Sequence, residues 1–270
     1  MRNIRVSLVQ FESIIGDVKA NYKKAANFIE EAATKQKSDL VVFPELFLSG
    51  YDLGKLGKDY FRLAVDEDSA ILKDFCDVAR AKHINLILPV AFKSKMPGIT
   101  YNSAVAISRE GEIIGVYHKT HLWAGEKNYF ISGDEQAVFS FDFGKVGIMI
   151  CYDGGFPEIA RIHALNGAEL IVCPSAFPYH DKDLWDIYFL SRSLENACFV
   201  AATNLVYHEN GHHLYGNNKL VNPRGKLLLE GNLDKEEMQT IEINLDDVAE
   251  VRQEVPFLRD RQVHTFKGLV

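Results

Sequence analysis

The feature that most restricts how this chain can fold is a phrase that occurs twice. Ser38-Asp39-Leu40-Val41-Val42-Phe43-Pro44-Glu45 and Gly167-Ala168-Glu169-Leu170-Ile171-Val172-Cys173-Pro174-Ser175 each read as a helix end, a short apolar strand and a proline stop. A short continuous apolar run suits a strand covered on both faces, and such strands need helices packed outside them. Two copies, set in stretches where strands and helices alternate, predict two related halves. The expected architecture is two sheets packed together and covered outside by helices.

The remaining pattern fits this frame. A strand is expected over 4–10, and Asp17 then caps a helix carrying Val18, Tyr22, Ala25, Ile29 and Ala32 at helical spacing. A second helix, with Ile71, Phe75, Val78 and Ala79 on one face, leads to a strand over 85–92. Strands over 104–108 and 113–118 are joined by the turn Arg109-Glu110-Gly111-Glu112, and 137–142 and 145–150 form a second pair. A helix opened by Pro157 and ended by Gly167 precedes the strand 170–173, a helix around 184–196 and a strand over 199–203. The last third reads as mostly β. No Pro/Ser-rich linker divides the chain, so a single domain over 1–270 is expected.

Composition narrows the function. The 270 residues are 47% hydrophobic and 25% charged, enough for a full core, and the net charge of −7 argues against a nucleic-acid partner. No stretch approaches the roughly 18 apolar residues of a membrane span. The basic start Met1-Arg2-Asn3-Ile4-Arg5 is followed by an apolar run broken at Gln10 and Glu12, unlike an export signal. The four cysteines form no CxxC pair, which suits reduced thiols in a cytoplasm.

Three residues stand at the ends of expected strands. Cys151 follows Val146-Gly147-Ile148-Met149-Ile150 and precedes Tyr152-Asp153-Gly154-Gly155-Phe156-Pro157-Glu158. A thiol at a strand-to-helix corner can attack a carbonyl while nearby backbone N–H groups hold the oxyanion. A free cysteine is also often just a small buried hydrophobe. Glu45, after Leu40-Val41-Val42-Phe43-Pro44, lies where α/β sheets place their ligand crevices, and a partly desolvated carboxylate there can shuttle protons. Taken alone it is equally a loop glutamate. Lys119, with Glu126 a few positions on, is either a surface ion pair or a fixed cation aimed at a developing oxyanion.

Together these residues resemble the nitrilase superfamily of carbon–nitrogen hydrolases. The matching wording is Val42-Phe43-Pro44-Glu45, then Lys119-Thr120-His121-Leu122, then Gly147-Ile148-Met149-Ile150-Cys151-Tyr152-Asp153 with Phe156-Pro157-Glu158; Pro174-Ser175-Ala176-Phe177 and Leu194-Glu195-Asn196-Ala197 agree as well. The resemblance implies an α/β fold built as a four-layer αββα sandwich with two mixed sheets, usually a homodimer. It implies Glu45 as general base, Lys119 as oxyanion-stabilising cation, Cys151 as nucleophile and Glu126 as the glutamate that holds the lysine or the substrate. The backbone N–H of Tyr152 becomes an oxyanion donor, with no metal or organic cofactor. Tyr51, Ala176 and Phe177 fall in segments that line the family's pocket, whereas Trp185 and Tyr188 read as helix core. The tail 250–270, with Arg259-Asp260-Arg261, matches a segment laid along a dimer contact.

Cys-Tyr-Asp followed by Phe-Pro-Glu looks more like amidases and N-carbamoyl hydrolases than true nitrilases. Carbamoyl-amino-acid hydrolases often carry arginines where Gly154 and Gly155 stand here. The expected order of substrates is therefore a small linear amide, a carbamoyl amine, then a nitrile. A non-catalytic binding protein would keep the fold and lose the triad, which is complete. His208, His212 and His213 raise the question of metal binding, but Asn210-Gly211 opposes the helix that their spacing would suit, so a solvated loop is expected.

Overall fold

The structure is a computed structural model that describes residues 1–209 and 211–269. Its strands are β1 (Asn3–Glu12), β2 (Leu40–Val42), β3 (Asn85–Lys93), β4 (Thr100–Ile107), β5 (Ile113–His118), β6 (Val138–Phe141), β7 (Gly144–Ile148), β8 (Leu170–Ser175), β9 (Phe199–Glu209), β10 (His212–Tyr215), β11 (Lys219–Val221), β12 (Leu227–Glu230) and β13 (Glu237–Asn244). The α-helices are α1 (Val18–Glu31), α2 (Leu53–Leu56), α3 (Tyr60–Leu63), α4 (Ala70–Lys82), α5 (Pro157–Leu165), α6 (Lys182–Asn196), α7 (Asp247–Glu254) and α8 (Phe257–Asp260). None of the described helices is long and apolar enough to cross a membrane.

Local chemistry sets several boundaries. The Asp17 carboxylate accepts from Ala20 N at 3.0 Å and starts α1, satisfying one of the N–H groups a helix start leaves open. Pro157 opens α5, and Gly167 leaves it at φ +92°. The β4–β5 turn needs Gly111, at φ +74°, because a Cβ there would lie 2.4 Å from the Cys76 carbonyl oxygen.

The expected pair of separate sheets is replaced by one hydrogen-bonded path, β5-β4-β3-β2-β1-β9-β8-β7-β6, which forms a large mixed sheet. The joint is short. β1 pairs with β13 from Asn3 to Gln10 and with β2 from Val6 to Leu8, and only Phe11 and Glu12 reach β9, opposite Leu205 and Val206. Both β1 and β9 are longer than a strand of average length, and their far ends meet beyond the reach of their own halves.

Successive residues of the central strands are all buried but join cores on opposite faces, as a sheet covered on both sides requires. Val41 packs with Ala25, Ile29, Phe75 and Ala79 of α1 and α4, while its neighbours Leu40 and Val42 join Val6, Leu8, Ile148, Ile150, Leu170 and Val172. Ile171 and Val200 instead face Ile159, Ala160, Trp185 and Phe189 of α5 and α6. The outer surface of α5 and α6 leaves Ile162, Leu165, Ile187 and Leu194 exposed. The tail lies against the same two helices, where Arg261 and Phe266 line a cleft with Pro157, Arg161 and Glu195.

A second correction concerns residues 208–213. His208, His212 and His213 do not lie in a solvated loop: they belong to antiparallel strands β9 and β10, with His213 opposite His208. Asn210, one of the two residues on which the loop expectation rested, lies outside the described residues.

Candidate active site

Glu45, Lys119 and Glu126 converge although they come from separate segments. The Lys119 ammonium lies 2.7 Å from Glu45 Oε1 and 2.9 Å from Glu126 Oε1, and all three side chains are sealed from solvent. The surface ion pair considered for Lys119 is therefore excluded. Each segment is pinned. Thr203 Oγ1, from β9, donates to the Phe43 carbonyl at 3.1 Å, just ahead of Pro44-Glu45. The Lys119 backbone N–H donates to the Asn102 carbonyl at 2.8 Å.

The polar groups around the trio are nearly saturated. Glu45 Oε1 accepts from Asn102 Nδ2 at 2.7 Å, and Oε2 accepts from the Ala176 N–H at 2.8 Å. Glu126 Oε1 also accepts from Tyr51 at 3.0 Å and Asn102 at 3.2 Å, and its Oε2 from the Trp123 N–H at 2.7 Å. Burial raises the Glu45 carboxyl to about 7; Lys119 opposes that rise and Glu126 adds to it. Burial also works against the Lys119 charge, but Glu126 and Glu45 outweigh it and hold the ammonium protonated.

Cys151 is half-buried and adopts φ +49°, a left-handed conformation that costs a non-glycine residue about 1 kcal/mol or more. Burial pushes its thiol well up, and Glu45 reinforces this while Lys119 opposes it. The lysine pulls the thiol down, but desolvation with the neighbouring carboxylate prevails. At rest the sulfur carries its proton.

Asp153 holds the strained corner, a role that sequence reading missed. It is fully buried and accepts from Ile150 N at 3.0 Å, Tyr117 OH at 2.8 Å and His121 N at 3.0 Å. One carboxylate therefore ties the residue before Cys151 to the segment carrying Lys119. Arg192 of α6 secures the other side, donating to the carbonyls of Gly154 at 3.0 Å and Gly155 at 3.1 Å.

A cavity of about 240 Å³ opens onto Cys151. Tyr51, Ala176 and Phe177 line it, as does Tyr152, whose side chain is exposed. Trp123, Leu184 and Leu214 add apolar wall, and His180, Asp181, His212 and His213 stand around it. Trp185 is core as expected, but Tyr188 is not: half-buried one helical turn on, it faces the cavity. Asn102 carried no charge or motif to mark it. Asp153 sat inside the Cys151 motif and was legible only as spacing.

A buried acid–ammonium–acid cluster close to a thiol offers a carbonyl group a nucleophile, a proton acceptor and a fixed cation. The chain belongs to the carbon-nitrogen hydrolase family, whose model matches residues 5–253, and so to the nitrilase superfamily. It is 34% identical over 268 residues to a probable nitrilase of Schizosaccharomyces pombe, covering 98% of each chain. It is 32% identical to the 2-oxoglutaramate amidase of Bacillus subtilis, covering 94% of this chain and 96% of that one. Among solved structures it is similar to a carbon-nitrogen hydrolase from Helicobacter pylori, with TM-score 0.89, 31% identity and coverage of 100% and 98%.

Removing the Asp153 carboxylate should strand the buried Ile150 N–H and leave Tyr117 OH only its longer contact with Thr120 Oγ1 at 3.3 Å. Asp153→Ala is expected to lose about 3 kcal/mol or more of stability in urea unfolding. A loss under about 1 kcal/mol would show that the corner does not depend on it.

Proposed function

We propose that this enzyme hydrolyses the carbon–nitrogen bond of a small, uncharged linear amide through a thioester on Cys151. The observation that carries this reading is the sealed Glu45–Lys119–Glu126 cluster, close enough to act electrostatically on a Cys151 thiol that itself faces a small cavity. Glu45, with its carboxyl raised to about 7, accepts the Cys151 proton as sulfur bonds to the amide carbon. The carbonyl electron pair moves to oxygen, where the Lys119 ammonium and the Tyr152 backbone N–H receive it. One such donor is typically worth about 3 kcal/mol in the transition state. The oxyanion then re-forms the carbonyl, the C–N bond breaks, and Glu45 returns the proton to the departing nitrogen. Water attacks the thioester with Glu45 again as base, and breaking the C–S bond releases the acid and regenerates the thiol. Glu126 holds Lys119 throughout.

Among the described residues lining the cavity there is no lysine or arginine. The nearby Arg192 is engaged by Gly154, Gly155 and Glu195. A substrate carboxylate would find no fixed cation, which weighs against monoamides of dicarboxylic acids, the class that names the Bacillus relative, and against carbamoyl amino acids. Asp181 already faces His180 at 3.4 Å, which offers little to a cationic carbamoyl amine. Trp123, Phe177, Leu184, Tyr188 and Leu214 suit an apolar acyl group.

We infer further that the halves of the sheet and their flanking helices make an αββα sandwich, with Ile162, Leu165, Ile187, Leu194 and the tail meeting a second copy. Four free thiols support a reducing, cytoplasmic setting.

Cys151→Ala is expected to abolish turnover with the fold retained, and wild-type protein trapped during turnover should carry one acyl group on Cys151 by mass spectrometry. Activity in the alanine variant would end the proposal. Because Glu45 must start ionised, kcat/KM should fall as pH drops through about 7 with a one-proton limb, and Glu45→Gln should lose at least a hundredfold. A flat profile down to pH 5 removes Glu45 as base. Ammonia release from uncharged aliphatic and aromatic amides should exceed that from dicarboxylic monoamides, carbamoyl amines and matching nitriles by tenfold or more; the reverse order overturns the substrate class. In sedimentation velocity the wild type should be a dimer and Ile187→Glu a monomer, and a monomeric wild type would refute the pairing.

A further inference from the structure

The β9–β10 hairpin carries a cluster that the hydrolytic reaction does not use. His208 and His213 stand directly opposite each other across the two strands, with ring centroids 4.0 Å apart and planes within 11°. Tyr179 also stacks on His213, at 4.7 Å. His213 Nε2 lies 2.6 Å from Asp234 Oδ1, and the Asp234 backbone N–H donates to the Tyr215 carbonyl at 2.9 Å. The carboxylate is thus anchored to the same hairpin. One donor atom from each of His208, His213 and Asp234 lies within 4.8 Å of the others.

We propose that His208, His213 and Asp234 bind a divalent transition-metal ion at the rim of the substrate cavity. Two imidazoles and a carboxylate are a donor set for zinc, nickel or copper; magnesium and calcium prefer all-oxygen surroundings. Ligands about 2.0 Å from a tetrahedral ion stand roughly 3.3 Å apart, so the donor atoms need to close by about 1.5 Å at most. His208 and Asp234 are exposed and have room to turn, while the strand pairing keeps the two histidine backbones fixed. The ion would displace the proton shared between His213 and Asp234 and leave a coordination position for water. A shallow concavity lined by His208, Glu209, Gly211, His212 and His213 gives it access. His212 and His213 also line the cavity that reaches Cys151, so the ion would sit where substrate enters. It takes no part in bond cleavage.

The proposal does not rest on the assigned reaction, and its test needs no turnover. Calorimetric titration with ZnCl2 and with NiCl2 uses Cys151→Ala protein, which removes the cavity thiol as a competing ligand. One ion per chain is expected, bound at micromolar concentration. Adding His208→Ala or His213→Ala should each weaken binding at least tenfold, and Asp234→Asn severalfold. Circular dichroism establishes that these exposed-site variants stay folded. With Co²⁺ as the probe, visible absorption bands of a four- or five-coordinate ion should appear and be lost in His213→Ala. Absence of saturable binding, or binding unchanged in both histidine variants, would overturn the site.

Discussion

A single ammonium enclosed by two carboxylates and sealed from solvent is the constraint around which this site is organised. Taking Lys119, Glu45 and Glu126 out of solvent costs several kcal/mol per ion, and their mutual attraction offsets this only if the remaining lone pairs and protons are satisfied. Asn102, Tyr51 and the N–H groups of Ala176 and Trp123 satisfy the carboxylate lone pairs that Lys119 leaves over. These partners come from both halves of the sheet: Glu45 and Asn102 from the β2–β4 side, Ala176 from the end of β8. The cluster therefore requires the short β1–β9 joint and the apolar layer beneath it to hold both halves in one register. An arrangement that roughly breaks even in stability is best understood by what it does to protons.

The same logic governs the corner at Cys151. A left-handed residue at the end of β7 is unfavourable, and the fold offsets it locally with Asp153 on one side and Arg192 on the other. Asp153 reaches the residues following Lys119, so the position of the sulfur and the position of the ammonium are set by one carboxylate. The sulfur and the ammonium are thereby fixed relative to each other, not merely each to its own strand.

Much of this was legible in the sequence. The ends of β2, β5 and β7 could be read from their apolar runs, with Pro44 closing the first, and Glu45, Lys119 and Cys151 follow within a few residues. Asp17 and Pro157 marked helix starts because their chemistry acts within one turn. What escaped was set by pairing between distant strands. Asn102 matters because β4 lies beside β3 and brings it under both glutamates, a relation without a local signature. The His208–His213 pairing reads as a loop in sequence because Gly211 and its neighbour signal a turn, and a cross-strand partnership has no helical period to find. Tyr188 reads as core because an aromatic at helical spacing does not say whether the facing space is filled.

The charge of the site also bears on the kind of substrate it can process. In the proposed first step the proton of Cys151 moves to Glu45, and the negative charge Glu45 gives up reappears on the carbonyl oxygen beside Lys119. The net charge of the enclosed region stays constant while its location shifts by a few ångströms. A low-dielectric cavity handles such a relocation well, since no new charge has to be solvated and the dipoles already in place face both positions. An uncharged amide preserves this balance from binding to release of the nitrogen. A substrate carboxylate would add a negative charge next to two glutamates and a half-buried thiol, with Lys119 already engaged by both acids, and its repulsion would grow as the oxyanion formed. The absence of a cavity-lining lysine or arginine among the described residues and the pairing of Lys119 with both glutamates thus point the same way, toward neutral substrates.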